Sequence, residues 1–490
     1  MNGSGKTMNR NIFRKKSIGD LINSNKSDKS LKRAIGPISL IIMGLGCIIG
    51  AGIFIVTGIA SANYSGPALV LSFIISAVAC IFTALCYAEF ASMIPISGSV
   101  YTYTYVAMGE VWAWMIGWVL MFEYLISASA VAVGWSSYTV GLLNSAGLIL
   151  PSVITNPPGT GLINLPAFLI IALLTGILVL GVKESTRFNA VIVLINVFII
   201  LLFIIVGANF INPANYQPFM PHGWTGVLQG AAMVFFAYIG FDAVSTAAEE
   251  TKNPQRTLPI GIIGSLIISS ILYIAVAAVL NGMVPYNLLN NAAPVTFALE
   301  KVGANWTASI VSFGALFGLT SVLLTSLFGQ TRIFYSMSRD RLLPGVFSKI
   351  HPDFRSPVLS TIIVGAVASI IAAFLPLSVI IELVNIGTLS AFIFLALSII
   401  ILRKQQPDIG RKFRCPLVPL IPFLSIIFCV FLIFQLSATT LERFAVSLII
   451  GLAVYFAYGF RKSKLKDKEA VKDVNKSYYE LKGYRFYNSK

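Results

Sequence analysis

From residue 36 to residue 460 the chain is a series of apolar runs, at 36–60, 68–94, 100–141, 164–182, 187–208, 225–248, 258–282, 305–338, 357–375, 378–402, 416–436 and 442–460. A helix needs roughly 20 apolar residues to cross a hydrocarbon core about 30 Å thick, and helices satisfy their backbone polar groups internally. The runs therefore predict an all-α polytopic membrane protein with twelve transmembrane helices. Composition agrees: 57% of the 490 residues are hydrophobic and 11% charged, with a mean hydropathy of +0.84, far too apolar for an ordinary soluble chain.

The formal charge of +16 would suit nucleic acid if it were spread over a folded surface, but it collects at the two ends. Segments 1–34 and 461–490 read as basic cytoplasmic tails near anionic lipid, with no nucleic-acid partner. Placing both termini in the cytoplasm puts 33 of the 35 Lys and Arg on that side, leaving only Lys301 and Arg443 outside. That asymmetry is what the positive-inside rule demands. Cys47, Cys80, Cys86, Cys415 and Cys429 lack metal-ligand spacing and read as small core residues. The N-terminal stretch is polar up to Arg33, so no cleavable signal is expected and the first helix serves for insertion.

Two runs are interrupted. The first carries Gly44, Gly46, Gly50 and Gly52 at what should be mid-membrane, which permits either an unwound segment or close packing of small residues. The sixth carries Tyr238, Gly240 and Asp242 at a comparable depth, five helices later. Paired breaks at that interval are the pattern of two inverted repeats, 35–208 and 225–402, with 416–460 outside them. Broken helices expose N–H and C=O groups together, and the zwitterion of an amino acid satisfies both: its carboxylate at a half-helix N-terminus, its ammonium at freed carbonyls.

Glu123 sits mid-helix in the third run, where an ionised carboxylate is costly unless paired or hydrated. It reads as a functional candidate, with a protonated or hydrogen-bonded packing residue as the alternative. Asp242 suits either a substrate ammonium or a cap within the bundle. Glu89, Glu249 and Glu250 are expected to form ion pairs with loop arginines, and Glu382 has no assigned role.

At "IGAGIF", "EYLISASAVAVGWSSY", "FFAYIGFDAVSTAAEETKNPQRTLPIGI" and "FGQTRIFYSMSRDRLLP" the chain resembles the amino acid–polyamine–organocation superfamily, and its cationic amino acid transporter branch in particular, over about residues 30–460. The resemblance implies the leucine-transporter-type fold of five plus five helices with two more at the C-terminus. It implies a cell-membrane permease and no cofactor, protons being the one coupling ion left open. By matched position it places the substrate carboxylate at the amides of Ile49, Gly50, Ala51 and Gly52, the ammonium at the carbonyls of Phe236, Ala237 and Ile239, and Glu123 near the amino group. It also leaves room for a small single-helix accessory peptide.

The chain departs from proton-coupled relatives in the fifth helix, where they carry a lysine and this sequence has Asn196, which cannot titrate near neutral pH. Ser326, three residues before Gly329, leaves more space at the side-chain end of the pocket than a methionine would. Together these lean the expectation toward cationic or bulky amino acids, with coupling or gating resting on Glu123, Asn196 or Asp242. Small neutral amino acids, a polyamine or another small polar solute are the alternatives on the same scaffold, and a transporter-like nutrient receptor is the alternative of another class. His222 and His351 fall in loops without ligand spacing, so a membrane enzyme is not expected.

Overall fold

The computed structural model describes residues 13–16, 35–94, 99–180, 186–291, 293–352, 354 and 356–466. Most of both basic tails, Lys183 and Arg355 lie outside the described residues, as do the side chains of Arg187, Glu249 and Glu250. Every regular element among those described is helical. Eight helical stretches are long and apolar enough to cross a membrane, and three shorter apolar helices lie among them. The first stretch, Pro37–Met93, is divided near Gly66, which takes φ +59° beneath Pro221.

We number the main helices α1 (Pro37–Ile48), α2 (Leu69–Met93), α3 (Glu110–Ser145), α4 (Leu165–Val179), α5 (Thr186–Ala208), α6 (Gly223–Val234), α7 (Pro254–Met283), α8 (Asn305–Arg339), α9 (Val358–Phe374), α10 (Leu377–Gln405), α11 (Leu420–Ile433) and α12 (Ala438–Val454). They pack as two groups. α7 lies along α1 and α2, with α6 against α2; α3 lies along α8, while α4 and α9 pair beside it. α10 runs along α3 and carries α11 on its outer side.

Because lipid tails are as apolar as leucine, association depends on close packing more than on burial. Glycines supply it: Gly44 lies on Ser265, Gly117 on Met337, Gly365 on Thr175 and Gly451 on the Trp118 indole, each near enough that a methyl group would collide. Tyr238 and Tyr273 meet Phe73 in an aromatic cluster joining the turn that follows α6 to α7 and α2.

The run at 100–141 was expected to be one helix. It is a short helix, Ser99–Ala107, followed by α3 from Glu110, and the reason lies at Gly109. Its φ of +102° suits glycine alone, and the backbone of Phe13 occupies the space a side chain would need.

That contact belongs to a second departure, at the end of the bundle where α3 begins and α8, α10 and α12 finish. The N-terminal segment was expected to be solvated throughout, yet Phe13–Lys16 docks there. Arg14 is 4% exposed, paired with Glu110 at 3.7 Å and stacked over Phe460. Lys16 Nζ meets Asp340 at 2.6 Å and lies over the Tyr105 ring. Burial pulls the Lys16 ammonium below the usual lysine range, against the opposing pull of Asp340. Glu110 also accepts from Tyr105, Tyr455 and Ser463, so its buried charge is fully surrounded by donors.

On the same side Glu89 pairs with two arginines, as expected for this carboxylate. Arg403 holds it bidentately, Nε to Oε1 at 3.0 Å and Nη2 to Oε2 at 2.6 Å, while Arg411 stands 3.2 Å away and the Cys415 amide donates to Oε2. At the opposite end Glu382 accepts from the hydroxyls of Ser437 and Thr440, which ties α10 to the start of α12.

Candidate functional site

The two interrupted helices break at matching places and touch there. α1 ends at Ile48, Ile49 is extended (φ −77°, ψ 100°), and helix resumes at Gly52 as π turns over Gly52–Val56 and Ser61–Ser65 flanking Thr57–Ala60. α6 tightens to a 3-10 turn over Phe235–Tyr238, opens at Ile239 (φ −62°, ψ 136°), crosses Gly240 at φ +116° and re-forms as 3-10 over Phe241–Glu250. A Cβ on Gly52 would lie 2.2 Å from the Ala237 Cα, and one on Gly240 would lie 2.3 Å from the Cys47 carbonyl. Each break thus carries the glycine that admits the backbone of the other. Both readings of the α1 glycines hold at different positions: Gly44 serves packing on α7, and Gly52 serves the break.

A cavity opens where the breaks meet. Its lining takes Gly46, Cys47, Ile48, Gly50, Ala51 and Gly52 from the first break and Phe236, Ile239, Gly240, Asp242 and Ala243 from the second. α3 adds Glu123, Tyr124, Ser127 and Val131, and α8 adds Val322, Thr325 and Ser326. By helix geometry the first amides of the resumed helix, from about Gly50 to Ile53, and the last carbonyls before Ile239 have no i→i−4 partner. The first break thus leaves amides, and the second carbonyls, without a helical partner, the Phe236 carbonyl being partly used by the Ile239 amide.

Of the residues expected from sequence, Gly50, Ala51, Gly52, Glu123, Phe236, Ile239, Asp242 and Ser326 line this cavity. Ile49 and Ala237 do not: both are buried, the Ile49 amide expected to meet the carboxylate instead donates to the Leu45 carbonyl at 2.7 Å as the last bond of α1, and Ala237 is the residue on which Gly52 rests. Asn196 stands apart, 2% exposed, its amide against Gly318 of α8. Cys47 corrects the reading of all five cysteines as core: it is partly exposed and lines the cavity, because the break turns its position toward the opening, while the other four are buried.

The cavity is electrostatically one-sided. Glu123 is 3% exposed and its Oε2 has no hydrogen-bond partner, with Thr388 of α10 beside the carboxyl. The Asp242 carboxylate lies against the amides of Gly240 and Ala243 at the start of the second half-helix, where a cap belongs. No Lys, Arg or His is in the lining to balance either acid. No group of His, Cys, Asp and Glu among the described residues is arranged to hold a metal ion.

Sequence reasoning missed Tyr124, Ser127, Val131, Val322 and Thr325. The signal was present: Glu123, Ser127 and Val131 are spaced by four, as are Val322 and Ser326, so each set shares a helix face with a residue already singled out. It also missed the side chains that hold the breaks open. Tyr273 donates to the Ile48 carbonyl at 2.8 Å, Tyr138 to the Phe54 carbonyl at 2.7 Å, and Asn385 to the carbonyls of Ala232 and Met233.

Comparison with known proteins agrees with this architecture. The family model described as amino acid permease matches residues 35–455. The chain is 49% identical to the branched-chain amino acid permease BcaP of Bacillus subtilis (strain 168), over 94% of this chain and all of that one. It is 50% identical to the methylthioribose transporter of the same organism, over 93% and 99% respectively. It is also 40% identical to the vacuolar cationic amino acid transporter 4 of Arabidopsis thaliana, over 82% of this chain and 68% of that protein. These are permeases and transporters, so the membrane-enzyme class falls away. With its apolar helices and a match across nearly its whole described length, this multi-pass membrane protein belongs to the amino acid permease family.

Proposed function

We propose that this chain carries an amino acid across the cell membrane by alternating access, binding the α-carboxylate at the amides of Gly50, Ala51 and Gly52 and the α-ammonium at the carbonyls of Phe236, Ala237 and Ile239. The observation that carries the reading is the cavity between two glycine-bearing breaks, lined from both breaks and by two acids, Glu123 and Asp242, with no basic side chain among them. A zwitterion suits the two breaks, and the acids favour a net positive guest. Cationic or bulky amino acids therefore suit the site best, with Ser326 leaving space at the side-chain end. The same reading takes the twelve helices as two inverted repeats of five plus α11 and α12, with both termini cytoplasmic.

Relatives support more than one cargo. One is named for branched-chain amino acids, one for cationic amino acids and one for methylthioribose, an uncharged solute that would leave Glu123 without a cationic partner.

The test is uptake of radiolabelled arginine, leucine and alanine into proteoliposomes of the purified protein at matched membrane potential, with and without an inward proton gradient. Amino acid methyl esters and methylthioribose serve as competitors. Arginine or leucine uptake that the free acid inhibits and the ester does not supports the site as described; competition by methylthioribose alone would sink it. Uptake indifferent to the gradient fits Asn196 standing where proton-coupled relatives have lysine, whereas gradient-driven uptake moves the coupling role to Glu123 or Asp242.

A further inference from the structure

Asn385 is fully buried in α10 and lines no part of the cavity, yet it reaches the helix that ends there. Its Nδ2 donates to the Ala232 carbonyl at 2.8 Å and to the Met233 carbonyl at 3.2 Å. These are among the last residues of α6 before the ladder tightens into the 3-10 turn at Phe235. Where an α-helix tightens in this way the bonding partners shift by one residue and a carbonyl is left over, so an outside donor at that point fixes where the change occurs. The position of the change in turn sets the height and direction of the carbonyls at Phe236 and beyond.

Two further observations tie Asn385 to the site. Its Oδ1 is buried without a hydrogen-bond partner, an arrangement an apolar residue of similar volume would avoid. Further along the same helix, a Cβ at Gly387 would come within 3.5 Å of the Glu123 Cβ, and Thr388 lies beside the Glu123 carboxyl. One short stretch of α10 thus holds both the carbonyl end of the second break and the acid across the cavity from it.

We infer that Asn385 is a positioning residue for the substrate ammonium: its amide fixes the end of α6 so that the freed carbonyls, and Glu123 through the neighbouring turn of α10, converge on one point. This rests on the amino acid reading above, and its effect falls on affinity rather than on the maximal rate. An ammonium donates along three directions, so acceptors displaced by a fraction of an ångström lose binding while the rocking of the helices continues.

The test measures KM and maximal uptake in proteoliposomes for wild type, Asn385→Leu and Asn385→Asp, with the melting temperature of each in detergent. Wild-type uptake of an amino acid is scored first; its failure removes the functional reading itself and is distinct from any difference between the variants. Asn385→Leu, of similar volume but without a donor, is expected to raise KM at least tenfold with maximal uptake within threefold of wild type. Asn385→Asp, which retains one donor when protonated, is expected to fall between the two. Should Asn385→Leu fail to fold, Asn385→Ala, which also lacks a donor, replaces it with the same expected order. A KM within twofold of wild type in the donorless variant, or equal losses of maximal uptake and affinity in both variants, would overturn the inference.

Discussion

At Gly52 the absence of one carbon atom decides whether two backbones can meet. Its missing Cβ would fall 2.2 Å from the Ala237 Cα, and backbone cannot yield as the tip of a side chain can. Gly52→Ala is expected to lower uptake at least tenfold by forcing the breaks apart. Gly387→Ala, where the nearest neighbour of a new Cβ is the Glu123 Cβ at an ordinary 3.5 Å, is expected to stay within twofold of wild type. Parallel uptake assays on the two variants separate a close-approach glycine from a tolerant one in the same cavity region. Ser326 offers the opposite experiment, because it faces the cavity from α8. A methionine there fills the side-chain end, so Ser326→Met is expected to weaken arginine several-fold more than alanine, read from competition against a common labelled substrate. Glycines at the breaks were legible in the sequence since their clustering inside an apolar run has few other uses. The role of Asn385, Tyr138 and Tyr273 was not, because each donates to a carbonyl 84 to 225 residues away, and a carbonyl carries no signature in the sequence.

Helices show a similar division. The apolar runs marked the long helices, since membrane thickness fixes length and hydropathy together. The start of α3 was misplaced because Val100 to Val106 is apolar and aromatic enough to continue the helix, whereas the break falls at Gly109, whose φ is +102° and on which the Phe13 backbone sits. Connections between helices also hold their ends. Glu89 on α2, 1% exposed, gathers Arg403 from the end of α10, Arg411 from the following loop and the Cys415 amide. Removing the carboxylate takes the counter-charge from Arg411 and an acceptor from Arg403 and the Cys415 amide, at a cost of about 3–5 kcal/mol for a buried pair broken on one side. Glu89→Ala is expected to lower the melting temperature in detergent by several degrees, and Glu89→Gln by less; an unchanged melting curve for Glu89→Ala would falsify a structural role for this cluster.

Over the whole molecule, the count and spacing of apolar runs pointed to the family's architecture, while the basic tails looked uniform. Nine cations in the first 34 residues give no hint that Arg14 and Lys16 differ from the rest; the carboxylates that select them, Glu110 and Asp340, lie far along the chain. Docking should protect the bonds after Arg14, Lys15 and Lys16 from trypsin. Wild-type protein in detergent is expected to be cut there slowly, and the double variant Glu110→Gln with Asp340→Asn at least tenfold faster; equal rates would mean that the segment does not stay seated. The seat itself is assembled from both extremes of the described chain. Glu110 meets Arg14 near the start and Tyr455 and Ser463 after the final helix, and Arg14 rests on Phe460. A chain still on the ribosome has made Glu110 hundreds of residues before Ser463, so for most of its synthesis that acid waits without its last partners. Completion of the final helix is then the event that closes the seat, and a chain stopped short of it leaves the carboxylate at the mouth of α3 with Arg14 and Tyr105 but without Tyr455 and Ser463.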